Sequence, residues 1–248
     1  ALRIAQAQED LRAQYDLAIQ HARLQEEVGR ITRHDLKNPL AAIIGMASNL
    51  LTHSSLDADA GQQIKAIEQA AYTLLGLIDL SNDLMKIELG QYQLKPQAVD
   101  LRSVLERVVG ECRSAFAAKD VHFQLDVPAA GSALVQGEAL LLYSMLHNLV
   151  KNAAEAVHNG ETVTLELVVG ASCQMRVSNP GQVAPEIAAR FFEKYATHGK
   201  PHGTGLGTFS AKLIAQAHGG SINMASVNGT GTDMVVLTVE LPRHPSLS

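Results

Sequence analysis

The chain has 248 residues, of which 46% are hydrophobic and 18% charged, and its formal net charge is −5. This is the composition of an ordinary globular protein with one large or two modest domains. The acidic balance argues against nucleic acid as a partner, and without a run of about 18 apolar residues we expect no membrane contact within this chain.

The chain starts at Ala1 within a helical pattern and without methionine, and we interpret it as a fragment of a longer protein. Its two cysteines, Cys112 and Cys173, are far apart and lack the spacing of metal ligands. This usage is typical of a reducing compartment. We therefore expect a cytoplasmic location, with any sensor or membrane anchor upstream.

Two long helices are predicted in the first third of the chain. Apolar positions three, four or seven residues apart indicate one buried stripe on each helix. Residues 53–58, HSSLDA, supply polar breakers and a plausible cap between the helices. The first stripe comprises Leu17, Leu24, Val28, Ile31, Leu36, Leu40, Ile43, Ala47 and Leu50, and the second comprises Ile64, Ile67, Ala71, Leu74, Ile78, Ser81 and Met85.

Two such helices joined by a short loop form a hairpin that cannot enclose its own seam. Two copies can enclose it as a four-helix bundle, which favours a homodimer. The alternative is that both helices pack on the C-terminal domain of the same chain. We assign residues 1–29 to a coiled-coil signalling helix, 30–92 to the hairpin, 93–243 to a second domain and 244–248 to a tail.

Beyond residue 92 the helical and strand periods alternate, which predicts an α+β domain with a mixed sheet covered by helices on one face. Together with the hairpin, this gives the fold class. The predicted helices are residues 101–118, 138–158, 185–193 and 206–217. The predicted strands are residues 121–127, 161–170, 172–179 and 231–242.

Asn148 and Asn152 lie four residues apart on the predicted helix 138–158 and share a face. Carboxamide oxygens are hard ligands, so the pair could hold a hydrated Mg²⁺ and contact phosphate oxygens. The alternative is two polar residues on a solvated helix face.

A glycine-rich loop precedes the predicted helix 206–217. It reads Gly203, Thr204, Gly205, Leu206 and Gly207. Such a loop exposes backbone N–H groups, and a helix N-terminus favours anions. The loop fits neither the Walker pattern nor a dinucleotide fingerprint, and a flexible turn would look the same.

Three further features suit a nucleotide. Asn179 could exchange hydrogen bonds with a base edge, and Gly181 would let a ring approach closely. The stretch 194–204, which includes Lys194, Tyr195 and Lys200, suits a lid over phosphates, with an ordinary surface loop as the alternative. Glycines also precede Thr232, where the last strand is predicted to begin.

In order and spacing, these motifs resemble the core of sensor histidine kinases from about residue 20 to 242. "RHDLKNPLAAIIG", "NLVKNAAEA" and "GTGLG" match the family's histidine, asparagine and second glycine motifs. The resemblance implies a dimerisation and phosphoacceptor hairpin, followed by the Bergerat-type ATP-binding domain shared with DNA gyrase and the Hsp90 chaperone.

His34 is the implied phosphoacceptor. A neutral imidazole is a good nucleophile near pH 7, and Asp35 beside it can fix the tautomer. By resemblance, Asp35 is the general base or orienting group, and Asn38 positions water to dephosphorylate the partner. Pro39 removes a helical hydrogen bond to Asp35, which suggests a hinge beside His34.

The resemblance implies ATP and Mg²⁺ as cofactors, a homodimer, and phosphoryl transfer to an aspartate in a response regulator receiver domain. Asn152 is the implied Mg²⁺ ligand. Relatives that hydrolyse ATP carry a Glu where this chain has Asn148, an amide that cannot take a proton. The implied nucleotide positions are Asn148, Asn152, Asn179, Gly181, Lys194, Tyr195, Lys200, Gly203, Thr204, Gly205, Leu206, Gly207 and Thr232.

Several positions depart from the family pattern, among them Asp35, where many members have Glu, and Val183 or its neighbour, which replaces a later glycine of the first glycine motif. Asn179 stands where the family usually has Asp, and Glu155 stands where many members have a phosphate-binding Lys. Positive charge must then come from Lys151, Lys194, Lys200 or a lid histidine. These changes leave open a kinase-weak phosphatase or scaffold, a related ATP-binding or ATPase module, and a coiled-coil interaction module.

Overall fold

The computed structural model describes residues 36–52, 57–196, 205–227 and 233–243. The chain divides into two compact units, Ala1–Met85 and Lys86–Ser248. In the first unit, residues 36–52 form helix α1. Helix α2 spans Ala58–Glu88, so its last three residues count with the second unit.

α1 and α2 form an antiparallel hairpin. Lys37 pairs with Asp79, and Ser48 further along α1 donates a hydrogen bond to Glu68. The contacts move backwards along α2 as they move forwards along α1, which is the signature of antiparallel helices. The predicted helical N-terminal region is confirmed for these residues.

The apolar seam of the hairpin is only partly covered within one chain. Leu40, Ala47 and Ala71 are buried. Other members of the same two stripes remain 42% to 53% exposed, namely Leu36, Ile43, Leu50, Ile67 and Leu74. A second apolar surface is therefore needed to bury the rest.

The second unit is built on a mixed five-stranded sheet. Its strands are β2 (His122–Asp126), β4 (Thr162–Val169), β5 (Ser172–Pro180), β6 (Ser221–Val227) and β7 (Met234–Pro242). Their order is β2-β4-β5-β7-β6, in which β2 and β4 are parallel and the other neighbours antiparallel. A separate antiparallel pair joins β1 (Gln97–Asp100) to β3 (Leu134–Gly137).

Helices cover one face of this sheet. They are α3 (Leu101–Ala115), α4 (Ala139–Ala156), the short α5 (Pro185–Ala188) and α6 (Gly207–Ala217). Every second residue of β5 from Cys173 to Asn179 is buried, which is the pattern of a sheet with one covered face. The predicted α+β fold with a mixed sheet is confirmed. None of the described helices combines the length and hydropathy needed to span a bilayer.

The structure corrects several predicted elements. Strands β1, β3 and β6 were not predicted, because two of them have four residues and β6 alternates weakly. The predicted helix 185–193 ends at Ala188. Beyond it, Arg190 N–H donates to Ile187 O and Glu193 N–H to Arg190 O, so the chain continues in tight turns.

Glu138, just before α4, is hydrogen-bonded both to the segment 92–95 and to His218 at the end of α6. Its carboxylate accepts from the Tyr92 hydroxyl at 2.8 Å and from the Lys95 N–H at 2.6 Å. Its own N–H donates to Nε2 of buried His218 at 3.1 Å, while Nδ1 of that ring lies 2.8 Å from Ile214 O. This arrangement suits a neutral imidazole with its proton on Nδ1, and burial lowers the pKa of His218.

Candidate functional site

A cavity of about 590 Å³ opens beside α4, within the size range of small-molecule sites. Residues from α4, the end of β5, the start of α6 and the first half of β7 line it. The predicted positions that line it are Asn148, Asn152, Asn179, Gly181, Gly205 and Gly207. The fold thus brings six of the thirteen predicted nucleotide positions to one place.

The two α4 amides face the N-terminus of α6. Nδ2 of Asn148 donates to Oγ of Ser210 at 3.2 Å. A Cβ added at Gly207 would lie 3.5 Å from Nδ2 of Asn152 and 3.8 Å from Oδ1 of Asn148. The first N–H groups of a helix favour anions, so this corner combines amide oxygens with anion-binding N–H groups.

Asn179 lies at the end of β5 and is only 4% exposed. Its Nδ2 donates to Pro180 O at 2.8 Å, so its side-chain oxygen is the group left to accept a hydrogen bond. Gly181 follows with a φ of +128°, a backbone conformation that favours glycine. The Gly181 N–H is held by Asp233 O at 2.9 Å.

The two described ends of the segment predicted to be a lid are joined by a hydrogen bond. Tyr195 N–H donates to Gly205 O at 3.0 Å, and both residues have a φ of +64°. A Cβ at Gly205 would come within 2.5 Å of the Tyr195 backbone, so only glycine fits there. Ala196 and Gly205 both line the cavity, so the stem of this loop forms part of its wall.

Three predicted positions on or next to this stem do not line the cavity. Lys194 Nζ lies 2.7 Å from Glu88 Oε2 and over the Phe209 ring, at 5.1 Å from its centroid. Tyr195 is 69% exposed and Leu206 is 39% exposed.

The charge in the cavity comes from α4. Among the described residues that line it, Lys151 is the only lysine or arginine and Glu155 the only carboxylate. Their side chains lie 3.8 Å apart, Nζ to Oε1. The described residues contain no cluster of three His, Cys, Asp or Glu side chains that could hold a metal. A hydrated Mg²⁺ bound through amide oxygens and phosphates fits this donor set.

Apolar side chains that the sequence did not single out as site residues form the opposite wall. Val235 and Leu237 on β7 and Ile187 on α5 line the cavity. Asn179 pairs with Val235, and Val177 beside it pairs with Leu237, so the β7 residues flank the end of β5. Their alternation along the last strand was the available signal, but it could not reveal which strand would lie alongside.

Polar and charged side chains of α3 and α4 surround Tyr143, a residue of α4. Its hydroxyl contacts Glu111, the Arg107 guanidinium lies 4.6 Å from the ring centroid, and the His147 ring stacks at 5.7 Å. Burial and the Glu111 contact raise the pKa of Tyr143 to about 12, and burial lowers the pKa of His147. None of these four residues lines the cavity.

The remaining predicted positions are divided between the first unit and the undescribed segments. Asn38 is exposed on α1, next to exposed Pro39. Six positions lie outside the described residues, namely His34, Asp35, Lys200, Gly203, Thr204 and Thr232. Their roles stay predictions.

Two family models match the chain. The His Kinase A (phospho-acceptor) domain matches residues 24–90. The Histidine kinase-, DNA gyrase B-, and HSP90-like ATPase domain matches residues 137–244. The first match contains His34 and the second contains the cavity.

Curated relatives are sensor proteins. ArcB, the aerobic respiration control sensor protein of Escherichia coli K12, is 29% identical over 219 residues, which cover 84% of this chain and 28% of ArcB. VanSC of Enterococcus gallinarum is 29% identical over 217 residues, which cover 85% of this chain and 58% of VanSC. GacS of Pseudomonas protegens is 29% identical over 237 residues, covering 91% and 26%. The chain thus spans 26% to 58% of their lengths.

Solved structures share the fold. Full-length ShkA in complex with AMPPNP matches with a TM-score of 0.59 and 23% identity, covering 87% of this chain and 45% of ShkA. Acinetobacter baumannii histidine kinase AdeS matches with a TM-score of 0.53 and 17% sequence identity, and the match covers 85% of this chain and 98% of the AdeS chain. The two domain matches, in this order, identify the chain as a HisKA phosphoacceptor domain followed by a GHKL-type ATP-binding domain, the core of a histidine kinase.

Proposed function

We propose that this chain is the core of an ATP-dependent protein-histidine kinase in a two-component system. ATP binds in the cavity, its γ-phosphoryl group passes to a ring nitrogen of His34, and ADP leaves. The phosphoryl group then passes to an aspartate of a response regulator receiver domain. One observation carries the proposal: paired amides, buried Asn179 and a helix N-terminus share one cavity, in a chain that also contains a phosphoacceptor domain.

Different cavity residues bind the base, the phosphates and the Mg²⁺ of the nucleotide. The Asn179 oxygen accepts from the amino group of adenine, and Gly181 lets the base approach. The α6 N-terminus at Gly207 receives phosphate oxygens. Asn152 holds the hydrated Mg²⁺, which when bound neutralises phosphate charge and orients the γ-phosphoryl group.

His34 and Asp35 act together in accepting the phosphoryl group. Asp35 accepts the proton of one ring nitrogen, which leaves the other nitrogen nucleophilic. Asn148 supports kinase chemistry over hydrolysis, because its amide donates to Ser210 and cannot take a proton from water. The γ-phosphoryl group is therefore transferred to the His34 imidazole rather than to water.

A homodimer follows from the hairpin. The exposed apolar residues of α1 and α2, such as Ile43 and Leu74, would be buried in a four-helix bundle of two chains. We place the chain in the cytoplasm, where ATP is available.

Labelled ATP tests the proposal. The chain is incubated with Mg²⁺ and γ-labelled ATP, and protein-bound label and free phosphate are both measured. We expect acid-labile, alkali-stable label that is absent from a His34→Ala variant. Free phosphate without labelled protein would support an ATPase instead, and failure to bind nucleotide would support a purely structural module.

A second candidate is a kinase-weak phosphatase. Uncharged Asn179 and acidic Glu155, both in the cavity, favour modest nucleotide affinity. Exposed Asn38 would then position water against the phosphorylated receiver domain. A chain that dephosphorylates a receiver domain faster than it labels itself, and loses that activity in an Asn38→Ala variant, would favour this candidate.

A further inference from the structure

We propose that Lys151 is the phosphate-binding cation of this cavity and that Glu155 competes with phosphate for it. Nucleotide binding then exchanges the Lys151–Glu155 ion pair for a Lys151–phosphate pair. This inference rests on the proposed ATP site and names the residues that set its affinity.

One face of α4 carries the relevant groups. Asn148 lies three and four residues before Lys151 and Asn152, and Glu155 lies four and three residues after them; all four line the cavity. A lysine here can swing its long stem toward a ligand held by the two amides. A carboxylate one turn further on can meet the same ammonium group.

Two other described lysines are less well placed. Lys194 is held by Glu88 and does not line the cavity. Lys119 donates to the carbonyls of Ala154 and Glu155 at 2.9 Å, so its ammonium group is hydrogen-bonded to the C-terminal end of α4. Among the described residues this leaves Lys151 as the one lysine or arginine in the cavity wall.

The ion pair that must open is weak. Its atoms are 3.8 Å apart, and the two side chains remain 51% and 31% exposed. The lysine also precedes the glutamate along the helix, the less favourable order for such a pair. A triphosphate carries more charge and more acceptor oxygens than one carboxylate, so it competes well for the same ammonium group.

The exchange draws the Lys151 ammonium group away from Glu155 and leaves that carboxylate close to the phosphates. Three residues before it lies Asn152, the proposed Mg²⁺ ligand. A hydrated divalent cation there would offset the repulsion between carboxylate and phosphate. Glu155 should therefore lower the affinity for ATP and make it depend more steeply on Mg²⁺.

The test is calorimetric titration of the 248-residue chain with adenosine, ADP and ATP in the presence of Mg²⁺. We expect Lys151→Met to weaken ATP binding about tenfold, ADP binding less and adenosine binding not at all. We expect Glu155→Gln to tighten ATP binding several-fold and to flatten its Mg²⁺ dependence. In the Lys151→Met background the gain from Glu155→Gln should shrink, because no ammonium group is left to release.

Matched controls lie elsewhere in the same unit. Glu106→Gln breaks another i,i+4 ion pair, with Arg102 on α3, and Lys95→Met removes an exposed lysine; neither residue lines the cavity, so both should leave ATP binding unchanged. Unaltered ATP affinity in Lys151→Met, or an equal gain from Glu155→Gln in both backgrounds, would overturn the exchange. If the unchanged chain bound neither adenosine nor ATP, the proposed function would fail and this inference with it.

Discussion

Asn152 is the single residue on which the proposed magnesium site depends. Replacing it with alanine removes an amide oxygen from the cavity without adding bulk. We expect Asn152→Ala to weaken Mg·ATP binding at least about tenfold and to leave adenosine binding nearly unchanged. Titration of both ligands checks this, with exposed Asn223→Ala on β6 as control. Equal loss of both ligands would point to a structural role instead.

His218 makes the folding stability depend on pH. Burial lowers its pKa in the folded state, so below the ordinary histidine pKa of about 6.5 the unfolded chain binds more protons than the folded chain. Its contribution to stability is complete above that pH. It is lost as the pH falls toward the lowered, folded-state pKa.

Urea unfolding of the chain and of a His218→Gln variant between pH 5 and 8 measures this contribution. The variant should lose part of the acid-side slope, at most about 1.4 kcal/mol per pH unit for one proton. The slope from His147, whose pKa burial also lowers, should stay in both proteins. An unchanged slope would mean that His218 is not the buried titrating group; exposed His122→Gln is the control.

Residues that share a helix could be placed together from the sequence, whereas those that meet across the fold could not. Asn148 and Asn152 were paired by their spacing on α4, and the structure puts both in the cavity. Lys194 looked like a lid cation, yet its partner Glu88 lies 106 residues away along the chain. No local pattern encodes such a contact.

The stem of the predicted lid, where Tyr195 is hydrogen-bonded to Gly205, requires a glycine at position 205. Gly205→Ala would combine a positive φ with a Cβ 2.5 Å from the Tyr195 backbone. We expect it to cost about 1–3 kcal/mol of stability and to weaken Mg·ATP binding, because the joined loop ends would separate.

Gly131→Ala is the matched control for this change. Gly131 also has a positive φ, +77°, but open space where the Cβ would go. It should cost about 1 kcal/mol or less and leave nucleotide binding intact. If both variants bound Mg·ATP normally, the lid stem would have no part in holding the nucleotide.

Among the elements, length and pattern decided what could be predicted. The long helices and the strands β4, β5 and β7 have strong periodicity and were predicted close to their observed bounds. Strands β1 and β3 have four residues each and depend on each other's pairing. The parallel pairing of β2 with β4 joins residues some forty positions apart in the sequence, and no local signal predicts it.

In the whole molecule, the hairpin should hold two chains together. Leu74 is 51% exposed in the single chain, within the predicted seam of α2. We expect Leu74→Asp to convert a dimer into a monomer, because a charge would be buried at the centre of the bundle. Light scattering after size-exclusion chromatography measures the mass. Gln62→Glu, at an exposed polar position of α2, should leave the dimer intact. A monomeric unchanged chain would contradict the proposed bundle.

The decisive measurement is where the γ-phosphoryl group of ATP goes. The chain is incubated with Mg²⁺ and subsaturating ATP at neutral pH, digested, and its phosphopeptides are mapped, alongside the His34→Ala and Asn152→Ala variants. We predict phosphohistidine at position 34 in the unchanged chain, none in His34→Ala and much less in Asn152→Ala. A chain that binds ATP tightly yet never carries phosphate on His34 would contradict the proposed kinase.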